Sequence, residues 1–296
     1  MSNRRAGREA RSTVRPNDET GGRGPIRTFL RTTDGVPVDS VYDPGPVVYE
    51  AVPDASPAPA GGTVFVVAHG FTGDVDRPHV RRVADTLTRY GAVVTFSFRG
   101  HGASGGRSTV GDREVLDLAA AVEWARGLGH TRVVTVGFSM GGSVVLRHAA
   151  LYPGTVDAVV SVSAPARWYY RGTAPMRRLH WLVTRPGGRL VSRYGLRTRI
   201  HHRQWDPVPL SPVQAVPMIA PVPLLVVHGD RDGYFPLDHP RMLAAAAGEH
   251  GELWVEAGMG HAENAADEEL LARIGDWAVR PPRAGGRHDG PVRPVA

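Results

Sequence analysis

The chain has 296 residues, 42% of them hydrophobic and 22% charged, enough for one large α/β domain with an insertion. Cysteine is absent, which excludes disulfides, thiolate nucleophiles and cysteine metal sites. The net charge of +6 comes from arginine alone, since there is no lysine, and it is concentrated in two end segments and residues 165–220, where ten arginines face one aspartate. The remaining core is net negative, so the chain lacks the continuous basic footprint of a nucleic-acid binder and no nucleic-acid partner is expected.

Residues 1–25 are polar and rich in arginine and glycine without periodicity, and read as a disordered tail. They include Arg4-Arg5 but no apolar stretch follows, so a signal peptide is not expected and a cytoplasmic location is. Segments 28–33 and 36–42, split by Asp34-Gly35, read as a hairpin at the sheet edge. A Pro/Ala/Gly-rich loop over 44–62 leads into Thr63–Ala68, a continuous apolar run of the kind strands buried on both faces show. Helix and strand then alternate: helix 80–90, strand 92–98, helix 112–127, strand 132–138, helix 140–152 and strand 156–163. Val115, Leu118, Ala119 and Val122 make helix 112–127 amphipathic. This alternation predicts an α/β fold with a doubly wound, mostly parallel sheet. The pattern breaks after Pro165 and resumes with a strand at 223–228, followed by helix 238–247, strand 253–256 and a last helix over 263–279. Inside the break, Met176, Leu179, Leu182 and Val183 mark a helix over 173–183, and Leu190, Val191 and Tyr194 a second short one. The expected organisation is a core over 26–164 and 221–280, an insertion over 165–220 and a second disordered tail over 281–296. No run approaches the 18 apolar residues that suggest a membrane span.

The strand over 132–138 runs into Gly137-Phe138-Ser139-Met140-Gly141 and then a helix. A G-x-S-x-G turn between strand and helix lifts a serine hydroxyl to the carboxyl edge of a sheet, and the glycines leave room in the turn. That hydroxyl is a poor nucleophile at neutral pH and needs a neighbouring base. Asp230 and Asp232 follow the strand over 223–228, and His261 follows the strand over 253–256. Each lies past the C-terminal end of a strand, where open α/β sheets build their sites. Of thirteen histidines, only His261 joins a strand-end loop to the chain order Ser…Asp…His. On residues alone, Asp230 and Asp232 both remain open as the acid. His148 reads as a packing or surface residue, His69 as shaping its loop, and Arg99 as tying loops by salt bridges. His101 and His228 follow other strands and could touch substrate. His201-His202 with Asp206 fits no metal-ligand spacing, so neither metal nor cofactor is expected.

From about residue 28 to 279 the chain resembles the α/β-hydrolase superfamily. His69-Gly-Phe-Thr-Gly73 and Phe98-Arg-Gly-His-Gly-Ala-Ser104 are most similar to bacterial carboxylesterases of the feruloyl-esterase and lysophospholipase-like type. The resemblance implies that His69-Gly70-Phe71 is the oxyanion loop, with the N–H groups of Phe71 and Met140 as donors. It implies Asp232 as the acid, four residues before Pro236, and a cap in the insertion over 165–220. One departure is Ser97, where relatives usually carry Asp; an altered supporting hydrogen bond is the expected result.

The cap interleaves Trp168, Tyr169, Tyr170, Trp181, Tyr194 and Trp205 with its arginines. Three readings remain for it: a lid with solvated arginines, recognition of an anionic or lipid-like substrate, and weak contact with an anionic membrane surface. Trp168 and Tyr169 are the substrate-binding candidates. The expected activity is hydrolysis of a small-molecule carboxylic ester through an acyl-enzyme. Acyl transfer or amide hydrolysis on the same residues are alternatives, as is a non-catalytic ligand-binding role.

Overall fold

The computed structural model describes residues 24–45 and 62–280. The tail expected over 1–25 (except its last two residues), most of the loop over 44–62 and the tail over 281–296 lie outside the described residues.

One eight-stranded sheet organises the chain. Its strands are β1 (Ile26–Arg31), β2 (Pro37–Asp43), β3 (Thr63–Ala68), β4 (Ala92–Phe96), β5 (Arg132–Phe138), β6 (Ala158–Val162), β7 (Leu224–Gly229) and β8 (Gly251–Glu256). They lie in the order β1-β2-β4-β3-β5-β6-β7-β8. β2 runs antiparallel to both its neighbours, and every other pairing is parallel. The expected hairpin forms at Asp34-Gly35, where Gly35 takes φ 81°, open to a residue without Cβ. Every residue of β4, β6 and β7 is buried, which is why these strands read as mostly apolar runs, broken only by Thr95, Ser161 and His228, instead of alternating ones.

The burial arises because helices cover both faces. α1 (Pro78–Leu87), α8 (Ala262–Ala265) and α9 (Glu268–Val279) lie on one face; α2 (Glu114–Gly127), α3 (Met140–Leu151), α6 (Pro212–Ala215) and α7 (Asp238–Ala247) lie on the other. Side chains alternate between the two layers, as the strand's period of two requires: Val64 and Val66 face the α2/α3 layer, and Phe65 and Val67 the α1/α9 layer. In α2 the buried stripe is Val115, Leu118, Ala121, Val122 and Ala125, with Ala121 in place of the expected Ala119.

Two boundaries differ from the sequence reading. The single helix expected over 263–279 is broken into α8 and α9 at Asp267, whose carboxylate accepts the Leu270 N–H at 2.9 Å and caps α9. The second helix of the insertion begins earlier than Leu190. It is α5 (Pro186–Gly195), separated from α4 (Ala174–Thr184) by Arg185, which is extended because a proline follows it.

The insertion leaves the sheet after β6 and returns to the adjacent β7. Its entry and exit touch, with Val213 N–H donating to Ala166 O at 2.9 Å. Its later part is stitched to the loop after β4 by Arg199 N–H to Gly100 O (2.7 Å), Ser108 N–H to Arg199 O (2.7 Å) and His201 N–H to Ser108 O (2.8 Å). Among the described residues, no helix is long and apolar enough to cross a membrane.

Candidate active site

Ser139 sits between β5 and α3 at φ 50° and ψ −111°, backbone that a non-glycine residue adopts only when its surroundings force it. The forcing comes from close packing. A Cβ on Gly137 would strike the Gly141 carbonyl, and one on Gly141 would strike the carbonyl of Ala68 at the end of β3. The turn is pinned by Ser139 N–H donating to Val162 O at 2.8 Å.

His261 Nε2 lies 2.9 Å from Ser139 Oγ, and its Nδ1 lies 2.7 Å from Asp232 Oδ2. Asp232 also accepts the N–H groups of Tyr234 (2.7 Å) and Phe235 (3.1 Å) on Oδ1. Burial alone would raise its pKa; the hydrogen bond and charge of His261, with the two N–H donors, outweigh burial and hold the carboxyl below its ordinary value. An ionised Asp232 fixes Nδ1 of His261 as the donor and leaves Nε2 to accept from the serine hydroxyl. Tyr234 stacks on the imidazole at 4.2 Å between centroids and limits its rotation. Asp230 faces elsewhere, accepting the Gly258 N–H at 2.7 Å.

The remaining sequence candidates fall around this line. His69 is fully buried, with Nδ1–H donating to Gly70 O (2.6 Å) and Nε2 accepting Phe98 N–H (3.0 Å). Burial, then the neighbouring His101, pushes its pKa well down, which suits that neutral tautomer. His101 is buried behind His69 and Phe71, and His228 is buried beneath Asp232 with Nε2 donating to Phe235 O at 2.9 Å. His148 is buried and stacked on Tyr152, so it packs and does not lie at the surface. Arg99 holds Asp117 and Asp34 at 2.8 Å each, tying the loop after β4 to α2 and the hairpin. Ser97 accepts the Val75 N–H at 3.1 Å. His201 and His202 stack on each other at 5.0 Å, and among the described residues no group of three metal-ligating side chains converges.

One carboxylate was not anticipated from the sequence. Glu263, in α8 two residues after His261, is buried and accepts the Gly70 N–H on Oε1 at 2.8 Å. Arg82 donates to the carbonyls of Glu263 and Ala266, at 2.7 and 2.8 Å, and fixes α8 from behind. The loop carrying His261 is thereby joined to the loop carrying Phe71. No local pattern marks such a pair, because its members are 193 residues apart.

A cavity of about 380 Å³ opens beside Ser139 and extends under the cap. Phe71, Met140, Trp168 and Tyr169 all line it. Trp168 is fixed by donation to Pro209 O (2.9 Å) and Trp205 by donation to Thr109 O (2.7 Å), their rings 5.1 Å apart.

Residues 63–181 match the family described as alpha/beta hydrolase fold. Over 274 residues the chain is 29% identical to a monoacylglycerol lipase from Mycolicibacterium smegmatis (strain ATCC 700084 / mc(2)155), covering 79% of this chain and 92% of that one. Among solved structures, the Pyrococcus furiosus esterase Pf2001 superposes with a TM-score of 0.64 at 24% identity, over 86% of this chain and 91% of the other. Est1E from Butyrivibrio proteoclasticus, solved with ferulic acid bound, gives 0.55 at 17% identity, over 85% and 99%. Strand order, crossover helices and family match agree, and the chain is a protein of the α/β-hydrolase fold.

Proposed function

We propose that the protein is a serine hydrolase that cleaves carboxylic esters through an acyl-enzyme. The observation that carries this reading is the unbroken hydrogen-bond line from Asp232 through His261 to Ser139, ending at the cavity. The names of the relatives, a lipase and esterases, support it. Ser139 Oγ attacks the ester carbonyl as His261 Nε2 takes its proton, and Asp232 stabilises the imidazolium. The N–H groups of Phe71 and Met140 receive the oxyanion, each such donor being worth about 10²–10³ in rate. Collapse of the tetrahedral adduct expels the alcohol, protonated by His261. Water, activated by the same imidazole, then attacks the acyl-serine and releases the carboxylic acid, restoring Ser139. Glu263 acts as a positioning residue: by holding Gly70 N–H it sets the direction in which the next N–H, that of Phe71, points.

The test is initial rates on p-nitrophenyl esters from acetate to palmitate, with Ser139→Ala as control. The substitution removes one oxygen atom from the elbow and should leave thermal unfolding unchanged while ester turnover drops by about 10⁵–10⁶. Turnover within tenfold of wild type in Ser139→Ala, or no turnover on any ester by wild type, would refute the reading. The chain length of fastest cleavage then measures how far the acyl group reaches beneath the cap.

A further inference from the structure

The cavity beside Ser139 carries charge of one sign. Its charged lining residues are Arg167, Arg171, Arg189 and Arg203, with no Asp or Glu among them. Outside the insertion several arginines pair with carboxylates, Arg99 with Asp117, Arg126 with Asp157, Arg147 with Asp112 and Arg273 with Glu256, while others such as Arg82 and Arg132 donate to backbone carbonyls. In the cavity only Arg167 pairs with a carboxylate, that of Asp238 at 2.9 Å. Among the described residues, no carboxylate stands within ion-pair distance of Arg171, Arg189 or Arg203. The shortage of acids extends through the insertion, where residues 165–220 hold ten arginines and one aspartate, and the cavity wall draws its charge from that stretch.

These guanidinium groups also keep free donors. Arg189 is anchored by Nη1 donating to Thr184 O at 2.9 Å, which leaves its other nitrogens available. Arg171 commits only Nε, to His180 Nδ1 at 3.3 Å. Like charges around one cavity repel, and an entering anion relieves that repulsion; guanidinium forks suit the paired oxygens of phosphate and carboxylate. The same cavity is also lined by Met176, Leu179 and Ile200, which offer an apolar surface. We infer that this cavity contains an anion subsite, so that its esters bear a phosphate or carboxylate group away from the scissile bond, linked through an apolar chain. The inference rests on the ester-hydrolase reading for its chemistry, while the anion subsite itself is measurable without turnover.

Two measurements test it. The first compares kcat/KM for p-nitrophenyl hydrogen adipate with that for neutral p-nitrophenyl hexanoate. Wild type should favour the anionic ester by roughly tenfold at low ionic strength, with the preference shrinking several-fold at about 0.5 M salt. Arg171→Gln, Arg189→Gln and Arg203→Gln should each lower the ratio by about threefold. Arg178→Gln, an equal charge change on the cap outside this cavity, should leave the ratio where it was. The second titrates Ser139→Ala with octyl phosphate, octanoate and octanol, following the fluorescence of Trp168 and Trp205. At least one anion should bind several-fold tighter than the alcohol, by a margin that the three cavity substitutions reduce, and the tighter one identifies the anionic group. A ratio at or below one in a turning-over wild type overturns the subsite. So does octanol binding as well as both anions, or a preference that Arg178→Gln reduces as much as the cavity substitutions do. Tight, arginine-dependent anion binding with no Ser139-dependent turnover supports the subsite and removes the hydrolase reading instead.

Discussion

The sheet and the cap are built on opposite rules. β4, β6 and β7 bury every residue, whereas α4 buries only Met176 and α5 only Gly188 and Ser192. Leu190 and Tyr194 of α5 stand 58% and 75% exposed, and Trp181 of α4 is 49% exposed. Several arginines outside the insertion are neutralised by carboxylates, as Arg99 is by Asp117 and Arg126 by Asp157, while among the four of the cavity wall only Arg167 is. On the proposed function, the division puts the chemistry on the buried frame, where a shift of an ångström would be costly, and leaves substrate selection to a layer with more exposed residues.

The sharpest way to break this comparison lies at the core end. Asp232→Asn should lower kcat by about 10⁴, because the neutral amide no longer holds His261 in the accepting tautomer, while Asp230→Asn should change kcat by less than about tenfold. If Asp230→Asn has the larger effect, Asp232 is not the acid. Next comes packing. Leu118→Ala should destabilise by about 2–5 kcal/mol in denaturant unfolding, since it empties a fully buried site in α2. Acid should weaken the core as well. Burial pushes His148 and His239 down to about 4, so each stays neutral in the fold while the unfolded chain takes up protons below its ordinary value of 6.5. Stability is therefore intact above that value and falls as the pH drops from 6.5 towards 4, by up to about 3 kcal/mol per histidine. Unfolding midpoints measured across that range check the slope. Glu263→Ala should cost about 10²-fold in kcat with KM little changed, and Glu263→Gln, which keeps an acceptor for Gly70 N–H, should recover most of it. A loss confined to KM would instead make Glu263 part of substrate binding. The smallest effect belongs to the cap: Leu190→Ala should move stability by no more than about 0.5 kcal/mol.

How much of this was legible in the sequence divides along the same line. The parallel strands could be read because burial on both faces leaves continuous apolar runs such as Val64 to Ala68, and the hairpin because Asp34-Gly35 supplies a turn. Chain order likewise indicated which strand ends carry Ser139, Asp232 and His261. Their separations, and the tether from Glu263 to Gly70, depend on how distant loops pack and leave no trace in local spacing. The break at Asp267 could have been read, since Asp267-Glu268-Glu269 is an acidic N-terminus for α9. The start of α5 was harder, because Pro186-Gly187-Gly188 is a poor helix former that becomes helical against α4, where Gly188 packs on the Trp181 carbonyl.

The contact between Ala166 and Val213 has an evolutionary consequence. The chain departs from the sheet and rejoins it at one spot, so the excursion is closed at its base, while its later part stays tied to the loop after β4. Shortening, lengthening or exchanging the excursion alters loop-closure entropy only slowly with length and leaves the eight-stranded frame with the same two ends to join. The frame thus offers one attachment point for covers of different length above an unchanged serine turn.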